Sequence, residues 1–337
     1  MKPYLALAFG IALVALPAFA AGYKISPLVA DQPGIAPNTD PNLVNPWGLA
    51  QVTDSAPVWV SDNGTGKSTF YDRTSGVLQF PVVTIPDGVP TGIVAVPNGI
   101  DFELTEGATS GRAYFLFDSE SGVISGWAPS VDTNNALIGY NGSDQGSVYK
   151  GLALDTVHKH LLAADFTNNQ VQIFDTTFTP IGSFTDPDLP KNFAPFNVAV
   201  LNGNVYVAFA KREKHGGDEI DGKGLGYIDV FDTSGVLQTQ LIAKGLLNAP
   251  WGMAIAPSNF GTFANDLLVG NFGDGKINVY DPANGTFIGT VSNKRGKPLK
   301  IDGLWALDPG PGKATVTFSA GTDGETHGLL GLIKPTK

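Results

Sequence analysis

The chain has no cysteine in its 337 residues, only two methionines and only four histidines. Disulfides and thiolate metal sites are therefore excluded, and stability must come from core burial. Basic residues are also short: 21 Lys and Arg stand against 31 Asp and Glu, for a net charge of −10. Such a balance repels both a phosphate backbone and an anionic lipid surface, so neither nucleic acid nor a membrane is expected as partner. Beyond residue 20 no apolar run approaches spanning length. The chain also lacks a Gly-x-Ser-x-Gly nucleophile elbow and a His-Glu-x-x-His metal motif.

What is present is glycine (42) and proline (24), with few long helix-forming windows. That composition predicts many short strands joined by tight turns. Residues 1–20 read as a removable export signal: Lys2, an apolar core from Leu5 to Leu16, then Ala18-Phe19-Ala20 as a cleavage site. Removing that one basic residue takes the net charge from −10 to −11. The product expected is a secreted or periplasmic protein, one domain over 21–337, and a monomer.

Asn45 to Asp72 (NPWGLAQVTDSAPVWVSDNGTGKSTFYD) returns at 248–281 as NAPWGMAIAPSNFGTFANDLLVGNFGDGKINVYD, with its parts in the same order. A unit of short strands that recurs after a long interval marks a repeat architecture. Aligning first strands gives six units, starting near Gly48, Gly99, Gly151, Asn197, Gly252 and Gly303, 46 to 55 residues apart. Third strands end in an aromatic followed by Asp72, Asp175, Asp232 or Asp281. Those aspartates are read as turn formers, and Gly76, Gly235 and Gly285 supply the positive φ. The sixth unit runs out of chain after 328–334, whereas Tyr23–Ala30 is a strand without a unit. Pairing the two would close a ring and hide its edges. The expected fold is all-β: a six-bladed β-propeller of four-stranded blades, closed by an N-terminal strand joining the last blade.

NLVNPWGLA…VWVSDNGTGKSTFYD, APWGMAIAP and the terminal FSAGTDGETHGLLGLI resemble a family of uncharacterised exported bacterial propeller proteins. More remotely the blades are similar to NHL-repeat and gluconolactonase-type propellers, of which some are metal-dependent lactonases and others binding platforms. Fold likeness by itself implies no reaction.

Chemistry is expected where first strands enter and second strands leave, around one mouth of the channel. Asn45, Asn98, Lys150, Asn197, Asn248 and Asp302 fall at the entries; Asp62, Asp118, Asp165, Asn168 and Asn271 fall at the exits. Two carboxylates about 6 Å apart repel by roughly 3 kcal/mol at an effective dielectric of 20. A ring of Asp62, Asp118, Asp165 and Asp302, with the Asn271 amide as a further donor, therefore reads either as an oxygen-only site for Ca²⁺ or Mg²⁺ in the channel, or as loop caps. The lactonase resemblance implies a Glu, two Asn and an Asp around the ion, with Asn45 or Asn98 standing here at the Glu position. In that reading Asp165, Asn271 and Asp62 hold the ion and His327 or Glu325 serves as base. Two long loops, 210–224 with His215, Asp218 and Glu219, and 320–328 with Glu325 and His327, add further candidates. Trp47, Phe196 and Trp251 precede first strands either as packing or as a stacking floor for a ligand.

Several motifs are set aside. SDNGTGKS at 61–68 fails as a phosphate loop, because Ser61 replaces its first Gly and a strand follows. His158 and His160 fall in a turn on the opposite face. Two functions remain open: a binding or scaffold module for an extracellular polymer, glycan or protein, and a divalent-metal-dependent hydrolase or lactonase.

Overall fold

The structure is a computed structural model and describes residues 22–214, 217–312 and 314–336. The export signal expected over 1–20 lies outside them. Six antiparallel sheets surround a central channel as a six-bladed β-propeller. The inner strands are Pro46–Ala50, Pro90–Ala95, Tyr149–Asp155, Phe193–Leu201, Pro250–Ile255 and Leu304–Pro309. Three further strands follow outward in blades one to five, and blade six ends on two from the start of the chain, Tyr23–Ala30 and the two-residue Asn38–Thr39 paired parallel to it. There Tyr23–Ala30 runs antiparallel to Leu329–Pro335, from Tyr23↔Pro335 to Ala30↔Leu329. Among the described residues no helix is long and apolar enough to cross a membrane.

In four blades the repeat fixes a glycine where the inner strand meets its neighbour, with Asn197 and Ala306 in the other two. A Cβ on Gly48 would fall 2.7 Å from the Thr91 carbonyl oxygen, and one on Gly92 would fall 2.4 Å from Leu152 N. At Gly151 the obstacle is Asn197 and at Gly252 the Trp305 carbonyl oxygen. Blades one to two, two to three, three to four and five to six thus approach backbone to backbone. The remaining two joints are hydrogen-bonded: Asn197 Nδ2 donates to Trp251 O at 2.8 Å, and Ser319 Oγ of blade six donates to Trp47 O of blade one at 2.5 Å.

With the blades this close, facing sheets bury apolar side chains between them. Six clusters fill the six joints, for example Ile93, Phe115 and Trp59 between blades one and two, and Leu268, Val279 and Phe318 between five and six. A seventh joins Trp47, Phe166, Phe196, Trp251 and Trp305 across the axis. Each turn aspartate accepts backbone N–H groups as expected, such as Thr74 and Ser75 at Asp72, or Ser234 and Val236 at Asp232.

Blade two departs from the expected register. Its inner strand is Pro90–Ala95, with Gly92 in the place assigned to Gly99. NGIDFEL instead leads into an extra hairpin, Glu103–Glu106 with Thr109–Arg112, inserted between the first two strands. The insertion brought the spacing near fifty and imitated a unit start. Asn98 consequently leaves the mouth: it is exposed after the inner strand and accepts Arg112 Nη1 at 3.3 Å.

One carboxyl group is buried inside a joint. Asp229, on the third strand of blade four, has 0% exposure and faces Asp186 on the connection from blade three. Burial, then the hydrogen bond and charge of Asp186, push its carboxyl up to about 8. The folded protein therefore holds a proton that the unfolded chain releases near pH 4, and stability should fall as pH rises from about 4 to 8. Asp229→Asn removes this titrating group and should reduce that slope in urea unfolding measured across the window, leaving the part that the raised Asp62, Asp118 and Glu219 contribute. Separately, Gly252→Ala should cost about 3 kcal/mol by the same assay, because its methyl has no space against Trp305.

A lysine ringed by carboxylates at the channel mouth

The residue before each ring glycine, or its equivalent, points at the axis. In five blades it is Trp47, Thr91, Phe196, Trp251 and Trp305; in blade three it is Lys150. The aromatic members form a plug, with Trp47 stacked on Trp305 at 3.5 Å and edge-on to Trp251 at 6.0 Å. Trp47 and Trp251 are only 2% and 4% exposed, so they pack the channel and offer no open floor for a ring. Two indoles also hold the rim: Trp305 Nε1 donates to Asn45 Oδ1 at 2.9 Å and Trp251 Nε1 to Lys150 O at 2.8 Å.

Lys150 lies on this plug, with Nζ 5.3 Å from the centre of the Trp47 ring. Its side chain is 2% exposed, and three carboxylates converge on its ammonium: Glu120 at 2.5 Å, Asp218 at 3.6 Å and Glu219 at 3.9 Å. Glu120 comes from the turn after the second strand of blade two. Asp218 and Glu219 come from the long loop of blade four, whose Glu219–Ile220 pairs back onto the second strand. Glu325 enters from the blade-six loop and accepts Asn45 Nδ2 at 2.8 Å. Asn45 Nδ2 also reaches Asn63 Oδ1 at 3.3 Å, and Asn63 Nδ2 donates to Glu120 at 3.0 Å. Four carboxylates, one ammonium and two amides thus share the mouth.

Burial alone would depress the Lys150 ammonium, but Glu120, Glu219 and Asp218 outweigh it and hold the group above its ordinary value. Burial pushes Glu219 up to about 7 against the pull of Lys150. Glu325 is raised as well, by burial first, with its Asn45 hydrogen bond opposing and Glu120 reinforcing. Glu219 can therefore exchange a proton near neutrality.

The aspartates and asparagine expected to ring a cation are placed differently. Asp62, Asp118, Asp165 and Asn271 are all fully buried, each within its own blade. Thr69 Oγ1 donates to Asp62 at 2.7 Å, and Thr91 Oγ1 to Asp118 at 2.8 Å. Ser147 Oγ donates to Asp165 at 2.8 Å, and Asn271 Nδ2 donates to Leu246 O at 2.8 Å. Burial holds Asp62 well above the usual carboxylate range and brings Asp118 to about 7. They tie the ends of second strands to the inner strand, the segment before it or the third strand of the same blade, and do not meet. Among the described residues no three His, Asp or Glu side chains are arranged to hold a metal ion. The point where carboxylates do converge is filled by the Lys150 ammonium, so this donor set does not fit Ca²⁺ or Mg²⁺.

Of the two proposed bases, Glu325 joins the mouth. His327 turns aside: its Nδ1 pairs with Asp31 at 2.7 Å and its Nε2 with Gln32 at 2.7 Å, fastening the loop to the N-terminal strand. His215 lies outside the described residues. Sequence reasoning placed Asn45, Asp218, Glu219 and Glu325 near the mouth but missed Glu120 and the centrality of Lys150. The signal was available, since YKG at 149–151 aligns with PWG at 46–48 and 250–252.

Fold and mouth together define a six-bladed propeller whose channel is stoppered by aromatic rings beneath an acidic, lysine-centred cluster. No family model matches the sequence. The chain is 34% identical over 327 residues to uncharacterised protein L690 of Acanthamoeba polyphaga mimivirus, covering 93% of itself and 86% of that protein. It is 31% identical over 324 residues to uncharacterised protein R648 of the same virus, covering 92% and 80%. It belongs to the family that these proteins form. These relatives are viral, where the sequence pattern had suggested bacterial ones. Among solved structures it is similar to streptogramin B lyase, with a TM-score of 0.55 and 12% identity over 93% of this chain and 98% of that one, a likeness of fold alone.

Lys150→Met removes the single cation from a largely buried set of acids. Urea unfolding should show a loss of about 3 kcal/mol at pH 8 and a smaller one at pH 5, where the carboxylates can take up protons. An equal loss at both values would reduce Lys150 to a packing element.

Proposed function

We propose that the protein is an exported binding module whose mouth face takes a positively charged group of an extracellular polymer, glycan or protein. The observation that carries this reading is the charge at the mouth. Glu120, Asp218, Glu219 and Glu325 gather about one ammonium, so among the described residues carboxyl groups outnumber cations at the mouth of an already acidic chain. Asp218 is 77% exposed on its side chain and Glu120 26%, so partners can reach them from solvent. Acidic surfaces attract basic partners and raise their encounter rate in a salt-dependent way. The amides of Asn45 and Asn63 supply neutral hydrogen bonding beside the charge.

A hydrolase is the second reading, favoured by Glu219, which burial brings to about 7 and so to a pKa suited to general acid–base work at neutral pH. Its metal-dependent form has less support, because the donors expected for the ion are engaged in their own blades. The two readings separate in one set of measurements. Calorimetry with a tetralysine peptide and a chitosan tetramer should show binding that weakens with salt. Asp218→Asn combined with Glu325→Gln should weaken it at least tenfold with melting unchanged, and the N-acetylated tetramer should not bind. Binding unaffected by the double substitution would sink the proposal. Lactone or ester turnover lost in Glu219→Gln would put the hydrolase in its place.

A further inference from the structure

On the other side of the aromatic plug the channel widens into a cavity of about 460 Å³, reached from the face opposite the acidic mouth. That volume lies within the range of sites that take small organic molecules, roughly 300–1,000 Å³. Every blade contributes to its wall, with Leu49, Val94, Leu154, Val200, Met253 and Leu307 supplying one aliphatic side chain each. The charged side chain in the lining is Asp308, at the rim, and Arg73 neutralises it at 3.4 Å. Arg73 also donates to Asp54 O at 2.8 Å and to Pro309 O, so this pair is fastened to the blade-one and blade-six turns. An ionic ligand inside would lose its hydration and find no counter-charge on the wall.

Among the lining side chains, polar recognition is offered by Gln51 and by the exposed Thr156, beside the free backbone edges of the inner strands. Asn197 also lines the cavity, but its amide is engaged with Trp251 O and Val198 N. Gln51, where the blade-one strand leaves the channel, has a buried side-chain oxygen that accepts no hydrogen bond. A buried acceptor without a donor is costly to leave so, and it selects an occupant able to donate. The inner strands are the free edges of their sheets, and their length along the axis favours a slender molecule over a broad one.

We infer that the channel is a second binding site, separate from the acidic mouth, for an uncharged, elongated, mainly aliphatic molecule bearing a hydroxyl or N–H that donates to Gln51. The aromatic plug closes the site at its inner end, and the neutral Arg73–Asp308 rim admits molecules without net charge. The two faces of the protein thus recognise opposite kinds of chemistry.

The test uses N-phenyl-1-naphthylamine, a neutral fluorophore that brightens in apolar surroundings, with the whole protein. Saturable enhancement is expected, displaced by 1-dodecanol at least tenfold more readily than by dodecanoate or dodecylammonium. Ala199→Trp, which fills the channel, should abolish the signal. Gln51→Leu, half-exposed and so mild for folding, should keep the signal and remove the preference for 1-dodecanol over methyl dodecyl ether, which cannot donate. Absence of saturable enhancement in the wild type would overturn the inference, as would equal displacement by the charged amphiphiles. An unchanged preference in Gln51→Leu would remove Gln51 from the site and the inference with it.

Discussion

The close approach of neighbouring inner strands is the constraint from which this structure follows. Where Gly48 meets Thr91, Gly92 meets Leu152 and Gly252 meets Trp305, no side chain separates the backbones. That contact sets the channel radius, and the radius decides what the axis can hold. Side chains at the preceding position are driven together, so that Trp47, Phe196, Trp251 and Trp305 fill the centre as one cluster, joined by Phe166 from the end of the second strand of blade three. Apolar burial in the six joints then supplies the bulk of the stabilisation, as it must in a chain without disulfides. Polar groups caught in the interior are mostly matched, and Asp229 beside Asp186 is one of the exceptions, surviving by keeping a proton.

Placing a lysine among those aromatic positions turns a packing element into an electrostatic one. The Lys150 ammonium is held above an indole face, where a cation is favoured, and it draws acids from blades two and four toward the axis. Buried ion pairs add little net stability, since desolvation offsets attraction, but they fix geometry. Here the fixed feature is the position of Asp218 and Glu219 on the long blade-four loop, which strand pairing at Glu219–Ile220 and the Gly222 N–H to Asn248 also anchor. Loop placement and plug composition are therefore one arrangement, and the acidic character of this face is its outcome.

Much of the architecture is legible in the sequence because the repeat carries its own physical markers. The Pro-Trp-Gly entry, the aspartate-glycine turn and the orphan strand at Tyr23–Ala30 each point to a distinct backbone requirement, and together they specify six blades and their closure. Blade two misled because an inserted hairpin kept the period while moving the strand, and Thr91-Gly92 lacks the aromatic that marks its equivalents. The site was less legible. Asp62, Asp118 and Asp165 have the residue types of a cation site, but whether strand-end carboxylates face the axis or the next strand depends on rotamers and on Thr69, Thr91 and Ser147, which no spacing rule reveals. Glu120 was missed because it belongs to a short turn with no motif, and its importance arises only from a lysine thirty positions further on.

Blade six joins residues separated by almost the whole chain, with Tyr23 beside Pro335. During synthesis the first strand emerges from the ribosome long before its partner exists, so until the last residues are made it remains unpaired with its hydrogen-bonding edge open. Native assembly of the ring is thereby coupled to the synthesis of Leu329–Pro335, and topologies dominated by such distant pairings fold slowly. The same register that seals the finished molecule keeps the growing one from closing too early.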